Sequence, residues 1–331
     1  MYFSLIIPVY NRPDEINELL NSLLLLDFKE NYEIVVVEDG SSIPCEDIIE
    51  TFQSKLNISY YFKPNSGPGD SRNFGMQKAK GDYFIIFDSD CIIPPNYLLE
   101  VQKALTLNYV DCFGGPDKAL DSFSDVQKAI NFAMTSFITT GGIRGGSEKI
   151  DKFQPRSFNM GLSKKAFEAS GGFGKIHPGE DPDLSIRLWE IGFETKLFPN
   201  AFVYHKRRID WSKFYKQVNK FGKARPILNR WYPQYSKITF YFPTCFLLGF
   251  IVAIGTAFLH NYILLVVFTT YIELLFIVAL LQTKSLKIGL LAVLATLIQF
   301  YGYGIGFLKS VFLVQIFKRQ PQKAFPELFF K

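Results

Sequence analysis

The chain of 331 residues is long enough for one domain of ordinary size plus a substantial appendage. Hydrophobic residues make up 48% and aromatics 16%, with 34 Phe, more than an ordinary soluble domain carries, which points toward lipid or a very apolar core. The formal charge of +5 is modest, and Cys45, Cys91, Cys112 and Cys245 form no C-x-x-C pair, so neither a disulfide framework nor a zinc site is indicated and a reducing compartment fits.

In chain order, Phe3-Ser4-Leu5-Ile6-Ile7-Pro8-Val9 is a short apolar run of the kind a strand buried on both faces shows. It is too short for a signal peptide and lacks a basic leader, so the first domain is expected in the cytosol. A helix should follow, with Pro13 at its first position, Asp14 and Glu15 at the positive end of its dipole, and Ile16, Leu19, Leu20, Leu23 and Leu24 on one face. Residues 32–37 repeat the buried-strand signature and end in Glu38-Asp39-Gly40-Ser41-Ser42. Residues 58–62 read as a strand, 70–80 as a helix, and 83–87 as a strand that ends in Asp88-Ser89-Asp90. This alternation predicts an α/β domain with a mostly parallel sheet. Ligands bind such sheets at the carboxyl ends of the strands, where Asn11, Glu38, Asp39, Asp88 and Asp90 would converge. Gly141-Gly142-Ile143-Arg144-Gly145-Gly146 reads as a mobile loop.

The second half changes character. Between residues 205 and 237 lie ten Lys and Arg against one acid, Asp210. On a helical wheel Trp211, Phe214, Tyr215, Val218 and Phe221 share one face, and Lys213, Lys216, Lys220 and Lys223 the opposite one. Residues 211–237 are therefore expected to form a basic amphipathic helix on anionic lipid, a solvated surface helix being the alternative; no nucleic-acid partner is implied. Three apolar stretches follow, at residues 238–259, 262–281 and 288–308, each about long enough to span a bilayer. Three spans within a transmembrane region of residues 238–317 are expected, with a tail at 318–331. The basic collar places the catalytic domain, residues 1–210, on the cytoplasmic side of a multi-pass protein in the cell membrane, and Lys284 and Lys287 agree. Lys318, Arg319 and Lys323 then fall on the outside, which leaves open a re-entrant or interfacial stretch.

The chemistry concentrates at strand ends. Asp88 and Asp90 on one short turn form a hard-oxygen site suited to Mg²⁺ or Mn²⁺ held with substrate phosphates; Asp90 is the expected direct ligand, and Asp88 a ligand or a contact to ribose or metal-bound water. Glu38 and Asp39 either accept from the N–H of a base such as uracil or cap the turn that follows. Arg72 and Asn73 open a helix, where Arg either holds phosphate or is a surface residue on a turn. In Gly179-Glu180-Asp181-Pro182-Asp183-Leu184 three carboxylates cluster; capping explains one of them, and crowding raises pKa values, so Asp181 is the expected general base. His205, after strand-like residues 201–204, is either a third metal ligand or structural.

The ordered series Pro8-Val9-Tyr10-Asn11-Arg12, Glu38-Asp39-Gly40-Ser41, Arg72-Asn73-x-Gly75, Asp88-x-Asp90, Gly171-Gly172-Phe173 and Glu180-Asp181-x-Asp183-Leu184 resembles the inverting glycosyltransferase family 2, over roughly residues 1–210. The resemblance implies a GT-A fold, with a Rossmann-like mixed sheet flanked by helices. It implies that Pro8, Tyr10, Asn11 and Asp39 border the nucleoside and that Arg72 lies near the donor. Asp88 and Asp90 match the nucleotide and metal motif, Asp181 the catalytic base with Glu180 beside it, and His205 a position that helps hold metal or diphosphate. Asn159 and Gly172-Phe173 fall where members shape the acceptor side. Glu38 departs from the commoner Asp. Processive members carry Gln-x-x-Arg-Trp; here Arg230-Trp231 is present but Ile227 replaces Gln, so a single-sugar transferase is expected.

The expected partners are thus a nucleotide-sugar donor, UDP-sugar favoured, a lipid-linked or membrane-proximal glycan acceptor, and an anionic membrane. A sugar nucleotidyltransferase would need a basic Gly-rich loop after the first strand, which Pro8-Val9-Tyr10-Asn11 is not, and a dehydrogenase would need G-x-G-x-x-G there. A non-catalytic membrane scaffold with a degenerate site is disfavoured by intact Asp88, Asp90 and Asp181.

Overall fold

The structure is a computed structural model that describes residues 1–141, 152–206 and 210–330. Most of the Gly-rich run at 141–146, and Arg207 and Arg208 of the basic run, lie outside the described residues. The elements are β1 (Phe3–Val9), α1 (Pro13–Leu23), β2 (Tyr32–Asp39), α2 (Glu46–Gln53), β3 (Ile58–Lys63), α3 (Pro68–Lys78), β4 (Tyr83–Phe87), β5 (Cys91–Ile92), α4 (Tyr97–Leu107), β6 (Cys112–Gly114) and β7 (Asp117–Lys118). After α5 (Asp125–Thr135) and α6 (Phe137–Thr140) come β8 (Asn159–Ser163), α7 (Lys164–Ser170), α8 (Glu180–Glu190), β9 (Thr195–Leu197) and β10 (Val203–His205). Four long helices follow: α9 (Trp211–Trp231), α10 (Phe242–Phe258), α11 (Ile263–Thr283) and α12 (Leu286–Ser310).

Two compact units divide the chain. The first comprises Met1–Lys118, Gly146–His205 and Phe329–Lys331, the second Ala119–Gly145 and Lys206–Leu328. The boundary therefore differs from residue 210: α5 and α6 join the helical unit, and the chain comes back to the first unit at Phe329.

Among the described residues of the first unit, a seven-stranded sheet runs β3-β2-β1-β4-β8-β6-β9. β1 pairs in parallel with β2 and β4, and β2 with β3, while β8 is antiparallel to β4 and β6. Every residue of β1 and of β4 is buried, which explains apolar runs broken only by Ser4. Each buried Leu, Ile or Phe stabilises by roughly 1.5–3 kcal/mol. α1 covers one face of the sheet with Ile16, Leu19, Leu20 and Leu23, and Pro13 starts it as the sequence requires. On the other face α3 comes very close to β1: a Cβ on Gly75 would lie 2.7 Å from Ile6 Cγ2, so only Gly fits. A second sheet, β5-β10-β7, places His205 opposite Cys91, one residue beyond Asp90.

In the helical unit, α9 and α12 approach closely. A Cβ on Gly222 would lie 2.1 Å from the Tyr303 carbonyl oxygen, and one on Gly306 2.3 Å from that of Asn219, whose Nδ2 donates to Gly302 O at 2.9 Å. Gly222→Ala is expected to destabilise this unit by about 1–3 kcal/mol, seen as a lowered melting midpoint of the full chain. The apolar stripe of α9 is used differently from the expectation. Phe214 and Val218 are buried against Ile130, Ala133, Met134 and Ala295, so protein rather than lipid covers that face, while Lys213 and Lys216 stay exposed. Arg230 donates to the carbonyls of Val314 (2.8 Å) and Arg319 (3.1 Å).

Among the described residues, two helices are long and apolar enough to cross a membrane, Ile263–Thr283 and Leu286–Ile316. The first apolar stretch, at 238–259, yields only 17 helical residues, Phe242–Phe258, because residues 238–240 form a separate 3-10 turn and the α-helix starts only beside Pro243.

Candidate active site

The carboxyl ends of β1, β2 and β4 lie side by side, and the residues after them differ sharply in exposure. Pro8 is buried within β1, whereas Tyr10 is 52% exposed at the rim. Asn11 adopts φ +53°, in the left-handed region that Asn tolerates, and its Oδ1 accepts from Ser42 N (2.8 Å), Ser42 Oγ (3.0 Å) and Ile43 N (3.1 Å). Glu38 is fully buried and accepts from Ser41 Oγ, Cys45 N (2.9 Å) and Tyr60 OH (3.3 Å). Asp39 accepts from Lys63 Nζ (2.7 Å), Asn65 Nδ2 (3.2 Å), Ser66 N (2.9 Å) and Gly67 N (2.9 Å). Glu38 thus fixes the loop at 41–45, and Asp39 the more distant loop at 63–67.

The turn after β4 carries two separately anchored carboxylates. Asp90 lies between Arg12 Nη1, 2.9 Å from Oδ2, and His205 Nε2, 3.1 Å from Oδ1. The possible ligand atoms of Asp90, Cys91 and His205 lie within 4.8 Å of one another, and His205 Nδ1 is buried without a hydrogen-bond partner. A carboxylate and an imidazole with an unused nitrogen fit a divalent cation such as Mn²⁺. The Cys91 thiol donates to Phe158 O at 3.5 Å and is too soft a donor for Mg²⁺.

Asp88 is 2.7 Å from Arg72 Nη2, and Arg72 Nη1 is 3.3 Å from Glu180 Oε1. Arg72 is buried on α3, so it is not the surface residue that a tight turn might carry. Burial opposes its charge, but Asp88, then Glu180 and Asp181, hold it protonated. Neighbouring Asn73 instead ties α3 to the loop before α8: its Nδ2 donates to Phe173 O (2.9 Å) and its Oδ1 accepts from Phe173 N (2.8 Å).

Glu180 and Asp181 open α8 and are driven in opposite directions. For Glu180, burial opposes ionisation, but His177, whose Nδ1 is 2.7 Å away, and then Arg72 bring its pKa down to about 2. For Asp181, burial and then the Glu180 charge push it up to about 6, against Arg72, Arg156 and a Ser157 hydrogen bond. Its Oδ1 is buried and accepts no hydrogen bond. Asp183 belongs elsewhere: it pairs with Arg187, which also donates to Ser170 O and Gly172 O, both at 2.6 Å. Asn159 is fully buried, accepting from Tyr97 OH (2.6 Å) and donating to Ala201 O (2.8 Å), and so supports the loop before β10 rather than lining a surface.

Arg72 therefore links the Asp88 turn to the Glu180–Asp181 pair, and Arg12, Asp90 and His205 form a second cluster on the same turn. Sequence reasoning missed Arg12 as the Asp90 partner, together with His177 and Arg156. Arg12 stood beside the Pro8-Val9-Tyr10-Asn11 motif and could have been paired with an acid at the neighbouring strand end; His177 and Arg156 carried no motif.

Comparison with known proteins decides the family. The Glycosyl transferase family 2 model matches residues 4–171, just over half of the chain. The chain belongs to glycosyltransferase family 2. It is 42% identical over 114 residues to poly(ribitol-phosphate) beta-N-acetylglucosaminyltransferase TarS of Staphylococcus aureus, a stretch that covers 34% of this chain and 20% of TarS. It is 23% identical over 324 residues to the probable glycosyltransferase YdaM of Bacillus subtilis, covering 90% of this chain and 71% of YdaM. Among solved structures, mannosyltransferase PcManGT from Pyrobaculum calidifontis, in complex with GDP-Man and Mn²⁺, matches with a TM-score of 0.58 at 15% identity over 96% of this chain and 88% of that one. TarS 1-349 in complex with UDP-GlcNAc matches with a TM-score of 0.50 at 18% identity, over 93% and 91%. These likenesses establish the GT-A fold.

Proposed function

We propose that this family 2 enzyme moves one sugar at a time from a nucleoside-diphosphate sugar, UDP-sugar favoured, to a hydroxyl of a lipid-linked or membrane-proximal glycan, with inversion. The observation that carries the reading is Asp181, a carboxyl tuned toward neutrality with an unpartnered buried oxygen, joined through Glu180 and Arg72 to Asp88. Asp181 takes the proton of the acceptor hydroxyl as that oxygen bonds to the anomeric carbon. The bond from that carbon to the phosphate oxygen breaks, and its electron pair leaves with the nucleoside diphosphate. Glu180 stays ionised and keeps Asp181 basic.

Tyr10, Asn11 and Pro8 border the nucleoside, on loops that Glu38 and Asp39 hold in shape, and Arg72, fixed in place by Asn73, faces the donor phosphates beside Asp88. Asp90, Asp88 and His205 would hold Mn²⁺ or Mg²⁺. Bound there, such an ion offsets the negative charge of a departing diphosphate. UDP is favoured because TarS, a relative by sequence, has been solved with UDP-GlcNAc and with UDP. The two long apolar helices and the exposed lysines of α9 support a multi-pass anchor in an anionic cell membrane with the catalytic unit on the cytoplasmic side.

The test is a panel of nucleotide sugars scored by protection of the full chain against thermal unfolding, with Mn²⁺ and with chelator. Asp90→Ala should weaken metal-dependent donor binding by about tenfold or more. Mass spectrometry of products should show one added sugar per acceptor. Donor protection unaffected by either chelator or Asp90→Ala would sink the metal assignment, and long product ladders the single-addition one.

A further inference from the structure

The segment that returns to the catalytic unit has no role in the reading above. Phe329 forms an antiparallel bridge with Ile176, and Phe330 N donates to Lys175 O at 3.1 Å. These contacts set the half-buried Phe330 ring against the His177 imidazole, with centroids 5.8 Å apart and planes at 45°. The same ring closes over Gly67: a Cβ there would lie 2.2 Å from Phe330 Cδ2, and the φ of Gly67, +95°, is one that Gly alone adopts freely. Gly67 starts α3, the helix of Arg72, and gives its N–H to Asp39. Phe330 therefore sits between the loop that Asp39 organises and the segment leading into α8.

His177 reaches inward from that ring. Its Nδ1 is 2.7 Å from Glu180 Oε1, the oxygen that Arg72 Nη1 approaches at 3.3 Å. Glu180 is only 4% exposed, and a buried carboxylate depends on every partner it has, because each one lost leaves charge uncompensated at low dielectric. An imidazole at the surface would swing between rotamers; an aromatic ring packed on it removes that freedom.

We propose that Phe330 and His177 are a positioning pair for the catalytic carboxylates: Phe330 fixes the imidazole, His177 fixes Glu180, and Glu180 sets the field in which Asp181 works. The inference rests on Asp181 as the base. The charged groups that face His177 are Glu180 and Asp181 from α8 and Arg72 from α3; those that face Asp181 are Glu180, Arg72 and Arg156, with Ser157 hydrogen-bonded to it. The directions agree with the geometry. Burial works against the His177 cation, yet the Glu180 charge and hydrogen bond outweigh it and raise its pKa.

The experiment is the pH dependence of kcat/KM for UDP release from UDP-N-acetylglucosamine, or from whichever panel member protects the chain most, using the full chain in detergent. His177→Gln removes a cation beside the acidic pair, so the acidic limb should move to higher pH by up to about one unit. Phe330→Ala should move it in the same direction by less, and Phe330→Trp should keep the native limb. The double variant Phe330→Ala/His177→Gln should shift no further than His177→Gln alone, because one residue acts through the other. A Phe330→Ala profile that matches the native one, or shifts that simply add, overturns the pair. If His177→Gln does not fold, the contrast between Phe330→Ala and Phe330→Trp with native His177 decides. Full turnover by Asp181→Asn would sink the base assignment itself; an inactive Asp181→Asn with additive shifts sinks only the positioning pair.

Discussion

Asp181→Asn is expected to lower transfer by about 10²–10⁴-fold while donor protection against unfolding stays near native, because the amide keeps the shape but cannot take a proton. The sign of the pH dependence follows from the raised pKa. Below about pH 6 Asp181 is protonated and cannot act as a base, so the rate should fall with decreasing pH through that region and level off above it. An ordinary exposed Asp would place this limb near pH 4. An Asp181→Asn enzyme with native turnover, or a rate unchanged from pH 7 to pH 5, would remove Asp181 from the chemistry.

Arg72→Ala should be the most damaging single change in the catalytic unit. It strips one buried cation from two carboxylates, Asp88 at 2.7 Å and Glu180 at 3.3 Å. Breaking a buried ion pair on one side costs about 3–5 kcal/mol; the loss here should fall toward the lower end, because Glu180 keeps His177 and Asp88 is partly exposed to water. Loss of activity and a clearly lowered melting midpoint are expected together. Arg72→Lys keeps the charge but not the fork that reaches both acids, so it should recover part of the stability and little of the turnover. A native melting midpoint for Arg72→Ala would show that Asp88 and Glu180 find other partners.

Much of this arrangement was legible in the residues. β1, β2 and β4 announced themselves because strands buried on both faces read as near-continuous apolar runs, and Asp88 and Asp90 gained meaning from their place at a strand end. Exposure was less readable. Glu38 and Asp39 stood in the same kind of position as Asp90, yet Ser41, Cys45 and Lys63 take up their oxygens, and no local pattern tells a loop organiser from a ligand. Partners distant in sequence were invisible: Arg12 meets Asp90 across 78 residues, and Phe330 meets His177 across half the chain. Periodicity identified α9 as two-faced but could not say what covers its apolar side, which turned out to be α5 and α12. Hydropathy alone also could not foresee that residues 238–240 would form a separate 3-10 turn and leave α10 short.

The three-stranded β5-β10-β7 sheet has a bearing on tolerance to insertion. β10 has only three residues, and its two rungs with β5 align His205 with Cys91 and Tyr204 with Ile92. Successive side chains on a strand point to opposite faces, so adding or deleting one residue between Phe198 and Val203 would turn the imidazole away from Asp90 and present a neighbour instead. Such a slip would have to break the two rungs of β10 with β7, the Asn159 bond to Ala201 O and the Phe158 ring stacked on His205 at 4.7 Å, which together hold the register. Natural variation in loop length should therefore stop short of this connection, however freely it accumulates in other surface turns.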